Sequence, residues 1–87
     1  MAKYTINIDT HALKSLKKLP TKVQVQIQEK IDGLAEQPRP AGCKKLKGED
    51  LYRVRAGDYR VIYQIEDKIL YIAVVKIGHR KDIYENR

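Results

Sequence analysis

Leu51-Tyr52-Arg53-Val54-Arg55-Ala56-Gly57-Asp58-Tyr59-Arg60-Val61-Ile62-Tyr63-Gln64 decides the fold. The stretch reads as two β-strands joined at Ala56-Gly57-Asp58, because Gly supplies the positive φ that short hairpin loops need and Asp favours turns. Side chains alternate along a strand, so Tyr52 and Val54 point one way while Arg53 and Arg55 point the other. In the second strand Tyr59, Val61, Tyr63 and Ile65 share one face, and Arg60, Ile62 and Gln64 share the opposite one. Burial of the apolar sets leaves three arginines on the same side of one hairpin. The expected result is a cationic surface on a rigid scaffold.

Working outward, the carboxyl side continues the sheet. Glu66-Asp67-Lys68 reads as a turn, and Ile69 to Ile77 as the most hydrophobic strand. Strict alternation puts Ile69, Tyr71, Ala73, Val75 and Ile77 on one face, with Leu70, Ile72 and Val74 on the other. A strand apolar on both faces belongs in the middle of a sheet. Lys76 is the exception within it, and Gly78-His79-Arg80-Lys81-Asp82-Ile83-Tyr84 then runs off the sheet.

On the amino side, Lys3 to Ile8 alternates as a short strand. Asp9 or Thr10 caps a helix that includes His11 to Leu19, with Ala12, Leu13, Leu16 and Leu19 inward and Lys14, Lys17 and Lys18 outward. Pro20 ends it. Thr21-Lys22-Val23-Gln24 matches a capping box opening a second helix, whose inner stripe is Val23, Ile27, Ile31 and Leu34. Gln37 to Gly42 is too short a linker to separate two domains. Lys44-Lys45-Leu46-Lys47-Gly48 then leads into the hairpin, either as a lysine-protected edge strand or as a phosphate-binding helper. The expected architecture is a single α+β domain over residues 1–87, with order βααβββ. A helical hairpin packs on one face of a mainly antiparallel four-stranded sheet.

Composition limits the function classes. The 87 residues carry 18 Lys and Arg against 11 Asp and Glu, a formal net charge of +7. Such an excess favours a polyanionic partner: nucleic acid, an anionic membrane surface or an acidic protein. Cys43 is the single cysteine, so no internal disulfide forms, and with two histidines it offers no metal cluster. No signal-peptide pattern and no apolar run of about 20 residues occurs, so a reducing, cytoplasmic location with no membrane partner is expected. No cofactor is expected either.

The βααβββ order carries a resemblance, together with three segments. They are Leu46-Lys47-Gly48 before Leu51-Tyr52-Arg53-Val54-Arg55, then Gly57-Asp58-Tyr59-Arg60-Val61-Ile62-Tyr63, and the closing Gly78-His79-Arg80-Lys81-Asp82-Ile83-Tyr84. Over nearly the whole chain these resemble the RelE/ParE superfamily of toxin–antitoxin toxins, and more closely its RelE branch. The resemblance implies an mRNA interferase that cleaves messenger RNA in the ribosomal A site and is neutralised by a cognate acidic or amphipathic antitoxin. ParE-like relatives share the fold but poison DNA gyrase, which is the alternative; a plain RNA-binding surface is a third reading. Mapped onto this chain, the family's catalytic positions fall on Arg53, Arg55, Arg60, Arg80 and Tyr84. Lys44, Lys45, Lys47, Lys76 and His79 are the candidate RNA-binding residues. The family pair is lysine in the best-studied branch, whereas here it is Arg53 and Arg55, and the segment after Arg80 is short for a terminal helix.

Chemistry limits these roles independently of the family. RNA cleavage by its own 2′-hydroxyl needs a proton acceptor, stabilisation of the phosphorane charge, and protonation of the departing 5′-oxygen. Arginine meets the second need by gripping phosphate oxygens bidentately. Its guanidinium stays protonated at neutral pH, so it does not serve as a general base there. That role falls to Tyr84 or to the ribosomal RNA environment. His79 titrates near neutrality as a residue type, but beside a glycine turn its ordinary reading is a surface residue. Tyr52, Tyr59, Tyr63 and Tyr71 read as core-edge aromatics.

Overall fold

The computed structural model describes residues 3–46 and 50–82. Five strands and two helices follow in the order β1 (Thr5–Ile8), α1 (Thr10–Lys17), α2 (Thr21–Gly33), β2 (Lys44–Lys45), β3 (Leu51–Ala56), β4 (Tyr59–Glu66) and β5 (Tyr71–His79). They build one mixed sheet in the order β1-β5-β4-β3-β2. All pairings are antiparallel except β1 with β5. The expected α+β class holds, with one more strand than the four expected, because Lys44 and Lys45 pair with Arg53 and Tyr52 at the sheet edge. This is the lysine-protected edge that the basic lead-in suggested.

The helical hairpin covers one face, α1 over β5 and α2 over β3 and β4. Ala12 and Leu16 of α1 and Ile27, Ile31 and Leu34 from α2 and its end are buried against Val54, Val61, Tyr63, Ile72 and Val74. Full burial of each aliphatic side chain contributes roughly 1.5–3 kcal/mol. The hydrophobic stripe read from helical spacing is therefore the stripe that meets the sheet. Among the described residues, no helix is long and apolar enough to cross a membrane.

Three local readings change. First, the capping box is absent: Pro20 is the N-cap of α2 and makes no side-chain cap. The Gln24 amide instead donates to the carbonyls of Leu19 at 2.8 Å and Lys17 at 3.3 Å, so it closes the carboxyl end of α1. Second, the last strand starts at Tyr71, not Ile69, because Asp67–Ile69 form a 3-10 turn and Leu70 takes the left-handed region at φ 52°. Ile69 is consequently 69% exposed. Third, β5 breaks its alternation. Tyr63 pairs with Val74 but Ile62 pairs with Lys76, leaving Val75 as the extra residue of a β-bulge. The bulge reverses the parity, so Ile77 joins Ile72 and Val74 in the core instead of Tyr71 and Ala73 outside.

The segment between α2 and β2 is tied down by side chains. Arg39 forms an ion pair with Asp67 at 2.9 Å and donates to the Tyr52 hydroxyl at 3.3 Å, while Tyr4 donates to the same carboxylate at 2.6 Å. The Arg39 guanidinium also lies 5.1 Å from the centre of the Tyr52 ring. Arg39, then Tyr4, hold the Asp67 carboxyl below the usual carboxylate range, and that bond to Asp67 raises the Tyr4 phenol. A carboxyl pKa lowered by folding contributes stability above the unfolded value of about 3.9, and loses it as pH falls through the folded value. Asp67→Asn is therefore expected to lower the melting temperature modestly near neutrality, with the gap from the parent closing below about pH 4. Melting curves across that range check it; a gap independent of pH would remove the carboxylate charge from the explanation.

Candidate nucleic-acid interface

The hairpin forms as its sequence suggests. Ala56 pairs with Tyr59 across a two-residue loop, and Gly57 sits at φ +63°. A side chain at Gly57 would adopt that conformation under strain and would meet the Gln26 amide at 3.4 Å. The register then fixes the faces. Tyr52, Val54 and Ala56 pair with Tyr63, Val61 and Tyr59 on the helix side, while Leu51, Arg53 and Arg55 pair with Gln64, Ile62 and Arg60 on the outer side.

On that outer side, cross-strand pairing aligns residues in rows. Lys44, Arg53, Ile62 and Lys76 form one row through β2, β3, β4 and β5. Arg55, Arg60 and Gly78 form the next, about 7 Å along the strands. The row on the far side, Leu51, Gln64, Ala73 and Asn7, carries no charge. The cations thus gather at the hairpin-turn end of the sheet. Arg80 reaches the same end because its backbone N–H donates to the Asp58 carbonyl at 2.9 Å, one step beyond the regular ladder. Lys76 belongs to the arginine face through the β5 bulge.

The predicted residues divide accordingly. Arg53, Arg55, Arg60, Lys44 and Lys76 lie on one face, with Arg80 at its end. Their accessibility is uneven: Arg53 is only 7% exposed and Arg60 is half-buried, whereas Arg55 and Arg80 are exposed. Arg60 is thus less accessible than an outward strand position suggests. Lys45 pairs with Tyr52, and His79 with Tyr59, so both sit at helix-side register positions, away from the arginine rows. Lys47 and Tyr84 lie outside the described residues.

Among the described residues, concavities open on two sides of the sheet. A groove of about 510 Å³ runs between α2 and the end of β3, lined by Gln26, Lys30, Gln37 and Arg55. Another, of about 350 Å³, lies between α1 and the end of β5 and brings His11 and Ser15 to His79. Neither His11 nor Ser15 was singled out by sequence reading. No sequence signal joins residues 11 and 79; only the packing of α1 on β5 does.

A sequence model described as the ParE toxin of the type II toxin–antitoxin system parDE matches residues 6–84. The chain belongs to the RelE/ParE superfamily of toxins. Its relatives within that superfamily include RelE proteins. It is 33% identical over 81 residues to the mRNA interferase toxin RelE of Escherichia coli, covering 90% of this chain and 84% of that one. Its structure is similar to the RelE of the archaeal RelE–RelB complex from Pyrococcus horikoshii, with a TM-score of 0.82 and 34% identity over 93% of this chain and 99% of that one. The toxin–antitoxin complex RelBE2 from Mycobacterium tuberculosis gives a TM-score of 0.82 at 30% identity, covering 94% and 97% of the two chains. The RelE-like chain therefore shares the superfamily's fold along nearly its whole length.

Proposed function

We propose that this RelE-like toxin is a ribosome-dependent mRNA endonuclease, cutting in the A site by attack of the ribose 2′-hydroxyl on the adjacent phosphate. The carrying observation is the pair of cross-strand rows that set Arg53, Arg55 and Arg60 on one rigid face, with Arg80 held at its end by the bond to Asp58. Arg55 and Arg60 lie directly opposite each other. Guanidinium groups so placed can grip a phosphate from both strands of the hairpin. Arg53, Arg55, Arg60 and Arg80 stabilise the phosphorane charge, Lys44 and Lys76 hold flanking phosphates, and Tyr84 or ribosomal RNA accepts the proton. The P–O5′ bond breaks as the 2′-oxygen bonds to phosphorus, and the departing 5′-oxygen takes a proton from water, so the products are a 2′,3′-cyclic phosphate and a 5′-hydroxyl.

A second partner follows from the relatives. RelE proteins crystallise with RelB, so a cognate antitoxin with an acidic or amphipathic segment is proposed to cover the basic face here too. Induced expression followed by mapping of mRNA 5′ ends tests the nuclease reading in cells. Codon-phased cuts within translated messages are expected. DNA breaks and filamentation with intact messages would instead select a ParE-like gyrase-poisoning activity.

A further inference from the structure

The groove between α2 and the end of β3 is built on a second stripe of that helix. Val23, Ile27 and Ile31 pack into the core. Gln26, Glu29, Lys30 and Gly33, at i, i+3, i+4 and i+7, form a separate face and line the groove. The Gln37 N–H donates to the Gly33 carbonyl at 3.1 Å, so the chain turns on past the helix and Gln37 joins the same wall. The opposite wall is the hairpin, at Arg55, Ala56 and Gly57, and the Gln26 amide lies 3.4 Å from where a Gly57 side chain would begin. Within the sheet β2 flanks β3 at Tyr52 and Arg53, so Arg55 stands beyond that pairing, at the border of the outer face. Arg55 therefore belongs both to the groove and to the row that sets it opposite Arg60.

Gln26, Glu29, Lys30, Gln37 and Arg55 are all exposed. Among the described residues, their side chains make no hydrogen bond or ion pair. Gly33 keeps the space between them open. Glycine weakens a helix relative to alanine, yet no neighbour requires it here, since a Cβ at Gly33 would have nothing within 4 Å. What its missing side chain provides is room. The cavity of about 510 Å³ is of the size that takes a small ligand such as a mononucleotide. Its functional groups fit one. Two cations against one carboxylate leave the groove cationic, and Lys30 and Arg55 suit phosphate. Each glutamine amide offers both donor and acceptor, as base edges require. An ionised Glu29 only accepts, so it favours a base edge that presents an amino group.

We propose that this groove is a base-binding subsite for a nucleotide flanking the scissile phosphate, with Arg55 and Lys30 holding its phosphate and Glu29, Gln26 and Gln37 reading its base edge. The proposal rests on an RNA substrate for the arginine face, but its test needs neither ribosome nor cleavage. The full chain is titrated with AMP, GMP, CMP and UMP and, separately, with inorganic phosphate, while backbone and glutamine side-chain amides are followed by NMR. Nucleotides are expected to shift the Gln26 and Gln37 side-chain amides and the Gly33 N–H; phosphate alone should leave the two glutamine amides unmoved. UMP, whose pairing edge carries no amino group, should bind at least about 5-fold more weakly than the best of the others, and Glu29→Gln should narrow that gap. Gly33→Leu fills the groove from a position with no neighbour to displace. It should weaken nucleotide binding to the level of phosphate, with a melting temperature at or above that of the parent. Nucleotide shifts confined to the arginine rows would overturn the subsite, as would unchanged nucleotide affinity in Gly33→Leu or equal affinity for all four bases. An acidic peptide that moves the groove amides when no nucleotide does would also overturn it. Nucleotide binding in the groove without any mRNA cleavage would support the subsite and contradict the interferase reading alone.

Discussion

Arg80→Ala is expected to reduce the rate of mRNA cleavage by about 10²–10³-fold, the usual loss when one preorganised donor to a developing anion is removed. Stability should change by no more than about 0.5 kcal/mol, because the side chain is exposed. The contact that places residue 80 also survives: it is a main-chain bond, from its N–H to the Asp58 carbonyl at 2.9 Å. Single-turnover cleavage alongside melting curves separates chemistry from folding. Arg80→Lys keeps the charge but not the planar fork, so it should recover only part of the rate. Arg60→Ala should also lose activity, yet it is a poorer probe, since Arg60 is half-buried and its removal disturbs packing as well. Full activity in Arg80→Ala would remove this residue from the site.

The largest effect on stability is expected at Tyr63. Its ring is fully buried at the centre of the helix-covered face, stacked on Tyr52 with centroids 5.9 Å apart. The hydroxyl donates to the Pro38 carbonyl at 2.8 Å and lies 3.3 Å from the Cys43 sulfur. Burial is the main cause that pushes this phenol well above its ordinary range, so it stays protonated as a donor. Tyr63→Ala should cost about 3–5 kcal/mol through the lost ring and the cavity it leaves. Tyr63→Phe keeps the ring and strands the carbonyl, costing about 1–2 kcal/mol. For a domain of this size each kcal/mol lowers the melting temperature by about 4–8 °C, so chemical and thermal unfolding resolve the two variants. Equal melting temperatures for Tyr63→Phe and the parent would show that the Pro38 bond contributes nothing.

Tyr63 also shows what the sequence makes legible. Its inward face follows from strand alternation, as do those of Val54, Val61 and the three hairpin arginines, because a hairpin is a local structure with a period of two. The helix stripes were legible for the same reason, with helical spacing. The β5 bulge was not. Inserting Val75 depends on how β5 meets β4, and it moves Ile77 into the core and Lys76 onto the arginine face. An isolated lysine in an apolar strand was its only trace. Gln24 illustrates another limit: the capping-box pattern was present, but the amide found better partners in the α1 carbonyls once the two helices met. The Arg39–Asp67–Tyr4 contacts join residues 28 and 63 positions apart and had no local signature.

The candidate site was legible as a set of residue types and less so as a place. Alternation put Arg53, Arg55 and Arg60 together, and the register agrees. The same register separates Lys45 and His79 from them, which a charge count alone does not reveal. Chemistry adds a constraint that geometry leaves in force. Every described cation on the outer face is an arginine or lysine, a side chain suited to holding phosphate charge and not to accepting a proton. The proposed dependence on the ribosome, to orient RNA and to assist proton transfer, follows from the lack of a base there.

One measurement tests that account most directly. The purified toxin is added to a defined message, once free and once on ribosomes with an empty A site, and the cut ends are analysed chemically. Cleavage is expected only on the ribosome, within the A-site codon, leaving a 2′,3′-cyclic phosphate and a 5′-hydroxyl. An uncut message on the ribosome, with the same protein preparation blocking DNA supercoiling by gyrase, would contradict it.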